Sequence, residues 1–111
     1  MQHRIAKYLF DIQESIISID NYLGNNKNFN TYIESKILRR AVERELQIIG
    51  EAINCLKKLD TDINLSFYKQ IISLRNQITH SYDNIDDATI WGIVINHLPV
   101  LKIEIQNLLN T

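Results

Sequence analysis

Arg75, Asn76, His80 and Tyr82 lie together in the stretch Ile71-Ile72-Ser73-Leu74-Arg75-Asn76-Gln77-Ile78-Thr79-His80-Ser81-Tyr82. A histidine titrates near neutral pH and can accept or give a proton. An arginine keeps its charge and offers a planar fork that fits a phosphate. Together they suit phosphodiester chemistry. Cleaving RNA without a metal needs a base for the 2′-hydroxyl, a cation for the developing phosphorane and an acid for the leaving oxygen. Elsewhere the long polar side chains read as solvated surface.

Ile71, Ile72, Leu74 and Ile78 anchor these residues on a helix. Asn76 and His80, four apart, share one face; Arg75 and Tyr82, seven apart, share another. On a regular helix Arg75 and His80 diverge by roughly 140°. Three arrangements reconcile them: the helix ends near His80, the arginine reaches around, or two copies of the motif share a site. The last is preferred, with help from the first. A two-fold dimer along this helix brings two Arg/His sets into one cleft. The plain alternative is an amphipathic helix on which His80 favours the C-terminal dipole and Tyr82 is an ordinary half-buried aromatic.

Arg75-Asn76, three residues, then His80-Ser81-Tyr82 resembles the R-N-x-x-x-H-x-Y motif of the HEPN superfamily, in its HepT-like branch. The stretch from Ala41 to Ala52 resembles that branch's long central helix, and Ile90-Trp91 with Leu98-Pro99 resembles its last helix. The resemblance implies an all-helical homodimer acting as a toxin that cuts RNA without a metal, in a type VII-like toxin–antitoxin pair. It implies Arg75 and His80 as catalytic residues. It also implies a partner antitoxin of the minimal nucleotidyltransferase type, which silences the nuclease by AMPylation of Tyr82. Gln77 stands where a second basic residue is common in such motifs.

The elements that must position this motif follow from composition and pattern. At 111 residues with 45% hydrophobic content, the chain is one domain, residues 1–111, with one core. Scarce proline and glycine favour helices over a turn-rich β fold. Net charge is −1, so nucleic acid would have to be met by a local patch. The single Cys55 excludes an intrachain disulfide and reads as a buried small hydrophobe. No apolar run resembles a signal peptide or a membrane span, so a cytoplasmic protein is expected.

Ile5, Leu9, Ile12, Ile16, Ile19 and Leu23 recur at helical spacing and predict a helix over 3–23, stopped at Gly24. Phe29 is expected to tuck back into the core. A second helix runs from Asn30 or Thr31 to about Leu59, with a possible bend. Its buried side reads as Ile33, Ile37, Ala41, Ile48, Ala52, Leu56 and Leu59, widened by Val42, Leu46, Ile49 and Ile53. Gly50 in its middle costs close to 1 kcal/mol against alanine and would let another helix approach. Lys36, Arg40 and Arg44 form a basic stripe: a solvated face with Arg40 paired to Glu43, or a contact for the RNA backbone.

Asp62 or Asn64 is expected to cap a short segment around Leu65–Lys69, and the motif helix to end between Ser81 and Asn84. Asp86 is a natural N-cap for the last helix, which buries Ile90, Val94, Leu98, Leu101, Ile105 and Leu108. Trp91 is a candidate cover for the motif helix. Pro99 should kink the last helix at the preceding turn. His97 reads as a surface histidine or a second acid/base, and His3 as inert. The sequence offers no metal-ligand spacing, no Gly-rich phosphate loop and no call for a cofactor.

The expected fold is all-α: an antiparallel bundle of four or five helices, dimerised across a cleft lined by Arg75, Asn76, His80 and Tyr82. In that cleft Asn76 would orient His80 or the phosphate. A non-enzymatic alternative keeps the same residues as a nucleotide-binding accessory subunit of a nucleotidyltransferase.

Overall fold

The computed structural model describes residues 2–60, 62–80 and 85–111. The helices are α1 (His3–Leu23), α2 (Phe29–Glu34), α3 (Lys36–Leu59), α4 (Tyr68–His80) and α5 (Asp87–Leu109). No strand occurs among the described residues. The fold is the all-α bundle expected.

Cross-contacts fix the helix directions. On α3, Lys57 lies over the Tyr68 ring and Gln47 donates to Thr79 at 3.4 Å, so α3 and α4 run antiparallel. Between α4 and α5, the backbone N–H and hydroxyl of Ser66 reach Glu104 at 2.9 and 2.5 Å. The core gathers Leu9, Ile12, Ile16 and Ile19 from α1 with Leu46, Ile49 and Ile53 from α3 and Leu98, Leu101 and Ile105 from α5.

α1 has the predicted bounds. It stops at Gly24, whose φ of 74° and ψ of −171° belong to a region that essentially only glycine enters. The long second helix is two. Ser35 leaves helical geometry at φ −110°, ψ 105°, and its side chain accepts from the Leu38 N–H at 3.1 Å. Asn28 caps α2 in the same way through Thr31. A serine that satisfies a free helix-start N–H makes the break cheap.

Burial along α3 is uneven. Val42, Leu46, Ile49 and Ile53 are wholly enclosed, whereas Ile37 is 85% exposed in the first turn. Ala41 and Ile48 are only half-buried. Ala52 and Leu56 of the expected buried side are in the core together with the second stripe. The Leu65–Lys69 segment is also not a separate helix: a turn at Ser66 and Phe67, with Phe67 at φ 64°, leads straight into α4.

α5 begins where expected, with the Asp86 carboxylate accepting from the Ala88 N–H at 3.1 Å. Pro99 follows a turn that departs from α geometry, at the place where the disturbance is expected. Ile93–His97 form a π-helical turn, in which the Leu98 N–H bonds to the Ile93 carbonyl. Proline lacks an N–H and collides with the carbonyl four residues back. The wider turn absorbs that conflict and lets the helix continue. By length and composition Asp87–Leu109 is apolar enough to cross a membrane, which the sequence reading did not anticipate. Here it instead puts Ile90, Ile93, Val94, Leu98, Leu101 and Ile105 into the bundle core.

Candidate active site

Arg75 leaves α4 on the side that packs against α3. Its stem runs past Gly50: a Cβ on that glycine would lie 2.5 Å from Arg75 Cβ, nearer than such atoms approach. The glycine thus admits α4 at the position of the arginine. The arginine is mostly covered, with 23% of its side chain exposed, and its Nε is buried without a hydrogen-bond partner. Two groups hold its far end. Nη1 donates to Asn76 Oδ1 at 2.9 Å, and Nη2 stands 3.5 Å from Glu51 Oε1.

Asn76 has a contact that the sequence did not suggest: its side-chain carbonyl oxygen accepts from Arg75. Asn76 shares a face with His80, so the bond draws the guanidinium around the helix toward the histidine's side. His80 is the last described residue of α4, is exposed, and has no hydrogen-bond partner among the described residues. An unengaged, exposed imidazole is open to a substrate. Tyr82 lies outside the described residues, as do Ser81, Asp83 and Asn84.

Glu51 was missed in the sequence. On a helix a glutamate reads as solvated surface, and half of this one is. Its place next to Gly50, in the stretch resembling a family helix, was the available signal. It has 57% of its side chain exposed, so its pairing with Arg75 is weak in energy and matters through charge and position.

Lys36, Arg40 and Arg44 lie on the stripe of α3 that continues, at spacings of three and four, into Gln47 and Glu51. Gln47 touches Thr79 and Glu51 touches Arg75. Antiparallel packing therefore puts the basic stripe on the His80 side of the site. Lys36 and Arg44 are exposed, and Arg40 is engaged by Glu43 at 3.0 Å as expected.

The remaining candidates sort differently. Trp91 does not cover the motif helix; its ring packs on Phe29 and Tyr32, at centroid distances of 5.7 and 5.3 Å. Burial pushes the Tyr32 phenol well above its ordinary range. His97 is partly exposed, as expected, with its ring 4.0 Å from Phe67. Cys55 is half-buried. Among the described residues no group of three or more histidine, cysteine, aspartate or glutamate side chains converges to hold a metal ion.

The chain is similar to known proteins over most of its length. The family described as Ribonuclease HepT-like matches residues 8–108. A Methanocaldococcus jannaschii protein named "Putative RNase MJ1380" is 32% identical, covering 92% of this chain and 94% of its own. The "Probable ribonuclease HepT" of Thermococcus cleftensis is 30% identical over 97% and 98% of the two chains. A Caldanaerobacter subterraneus protein named "Putative RNase TTE0752" is 28% identical over 88% and 87%. No solved structure gives a significant match.

Proposed function

The chain belongs to the HepT-like ribonuclease family, and from that premise we propose that it is a metal-independent endoribonuclease, the toxin of a type VII-like toxin–antitoxin pair. The observation that carries the proposal is a tethered Arg75 on the same helix as an exposed His80. The guanidinium is held by Asn76 on its own helix and by Glu51 of α3. His80 on the same helix presents an exposed imidazole with no hydrogen-bond partner among the described residues.

In this mechanism His80 takes the 2′-hydroxyl proton. The 2′-oxygen attacks the adjacent phosphorus, the P–O5′ bond breaks, and the 5′-oxygen leaves with a proton from a second acid. The products are a 2′,3′-cyclic phosphate and a 5′-hydroxyl. Arg75 stabilises the charge that grows on the phosphoryl oxygens, an effect often worth a factor of about 10²–10³ per donor. One chain presents one His80. A homodimer sharing a cleft supplies the second, so that one copy acts as base and the other as acid. Lys36, Arg40 and Arg44 would steer the RNA backbone without reading its sequence.

The cognate antitoxin would be a minimal nucleotidyltransferase that AMPylates Tyr82. The added phosphate would bring bulk and negative charge to a place where the RNA phosphate must bind. One domain, a cytoplasmic location and no cofactor complete the reading. The test is cleavage of RNA in EDTA by protein of confirmed unmodified mass, comparing wild type, His80→Ala and Tyr82→Phe. Cleavage lost in His80→Ala alone is the expected result. An unmodified wild type that leaves varied RNAs intact would favour the nucleotide-binding accessory subunit.

A further inference from the structure

A cavity of about 480 Å³ opens between α4 and α5, on the side of α4 away from Arg75. Its size falls within the roughly 300–1,000 Å³ of small-molecule pockets. Three independent features meet there. Gly92 lines it at φ −58°, ψ −41°, ordinary helical values that do not require glycine. A Cβ at Gly92 would meet nothing within 4 Å, so no neighbour in the chain requires glycine either. The residue costs helix stability and keeps a wall open. The next turn is the π-helical segment Ile93–His97, a geometry that recurs at functional sites. His97 at its end lines the cavity and buries an Nδ1 that has no hydrogen-bond partner.

The polar groups that line the cavity select its occupant. Gln70, Gln77 and Asn96 bring three carboxamides, and Lys69 a cation; among the described residues that line it there is no carboxylate. Leu74 and Ile93 supply apolar surface. Carboxamides read the mixed donor and acceptor edges of bases, while apolar surface and imidazole take their faces. The position agrees. Gln70, Ser73, Gln77 and His80 follow one another at spacings of three, four and three, hence along one face of α4. Gln77 is one turn from His80, and Ser73 lies about 10 Å from it along the axis. A strand whose phosphate sits between Arg75 and His80 can lay its neighbouring base there.

We propose that the cavity between α4 and α5 is a nucleobase-binding subsite, which takes the base next to the scissile phosphate of a single-stranded RNA and sets base preference through Gln77 and Asn96. This rests on the ribonuclease reading of His80 and Arg75. It assigns those residues nothing new.

The test uses Gly92→Leu, which fills the cavity from an unstrained position, beside Gly92→Ala, which does not. Cleavage is measured on single-stranded RNAs differing only in the base flanking the cut. Gly92→Leu is expected to raise KM about tenfold or more, with kcat nearly unchanged and base preference flattened. Gly92→Ala, which adds a single methyl group, should show the same change at a small fraction of its size, and Asn96→Ala should alter preference among bases. Affinity for the same RNAs, uncut, is read by fluorescence anisotropy in His80→Ala with and without Gly92→Leu. A loss there supports the subsite even where no cleavage is seen, which separates its fate from that of the nuclease. A folded Gly92→Leu with unchanged affinity and base preference overturns the proposal. So does one whose subunit number changes, because the cavity then serves contact between copies.

Discussion

Gly50 of α3 faces the stem of Arg75 on α4 so closely that a Cβ there would also lie 2.9 Å from Arg75 Cγ and 3.3 Å from the Ile71 carbonyl oxygen. The two helices meet where the candidate catalytic cation leaves its backbone. Packing and chemistry are joined at one residue pair. Gly50→Ala gains up to about 1 kcal/mol in helix propensity and loses roughly 1–3 kcal/mol by overpacking. A lower melting temperature is expected. RNA cleavage, measured well below melting, should fall further than stability does, because Arg75 must shift. Gly92→Ala is the control of opposite sign, stabilising by about 0.5–1 kcal/mol since its Cβ enters open space.

Arg75→Lys should reduce kcat by about 10²-fold, with thermal stability little changed. A lysine keeps the charge but lacks the fork that bonds Asn76 while facing a phosphate. Glu51→Gln removes a carboxylate from beside the guanidinium. RNA should then bind tighter at low salt, and the gain should fade as salt rises. Stability should change by less than about 1 kcal/mol, since the glutamate is largely exposed. Anisotropy across a salt series, with melting curves, checks both parts.

Tyr32 ties folding to alkaline pH. Its ring is fully buried and its hydroxyl has no hydrogen-bond partner. Burial raises the phenol above its ordinary value of 10.0, with nearby Asp87 and Glu43 adding to the rise. The unfolded chain ionises first, so stability is fully present below pH 10.0 and declines as pH climbs above it. Tyr32→Phe removes this loss. Melting curves at pH 8 and at about pH 11 should converge more closely for the variant than for wild type.

Ser35→Ala should cost about 1 kcal/mol, the usual value of an N-cap. The Leu38 N–H would lose its partner at the break between α2 and α3. Denaturant titration measures the loss, and Ser35→Asp should restore most of it.

How far these features could be read in advance depended on whether their cause is local. Gly24, Asp86 and the α1 stripe act within a turn of themselves and were legible. Gly50 was too, because glycine inside a good helix is a recognisable cost. Ser35 was not: it sits between glutamate and lysine, both helix formers, and its capping bond shows only in three dimensions. Ile37 was not legible as exposed, because α3 carries two apolar stripes and the first turn lies outside the packing that buries Ala52, Leu56 and the Val42–Ile53 stripe. Arg75 and His80 stand out by residue type, while their pairing in one motif comes from the family resemblance and not from spacing. Glu51 and the turn of Asn76 toward Arg75 were not legible, because these contacts join side chains whose facing depends on how α3 and α4 cross.

The π-helical turn at Ile93–His97 inserts the equivalent of one residue into α5, and so sets the phase between its halves. Upstream, Trp91 meets the aromatic rings of α2. Downstream, Lys102 reaches Asp20 of α1 and Glu104 holds the threshold of α4. Removing one residue from the wide turn would not merely shorten the chain. It would rotate the final dozen residues by about 100°, withdrawing Leu101 and Ile105 from the core and presenting their polar neighbours. In this fold the spacing between Trp91 and Leu101 works like a gear setting: chains of unrelated composition can keep it, and a one-residue deletion cannot.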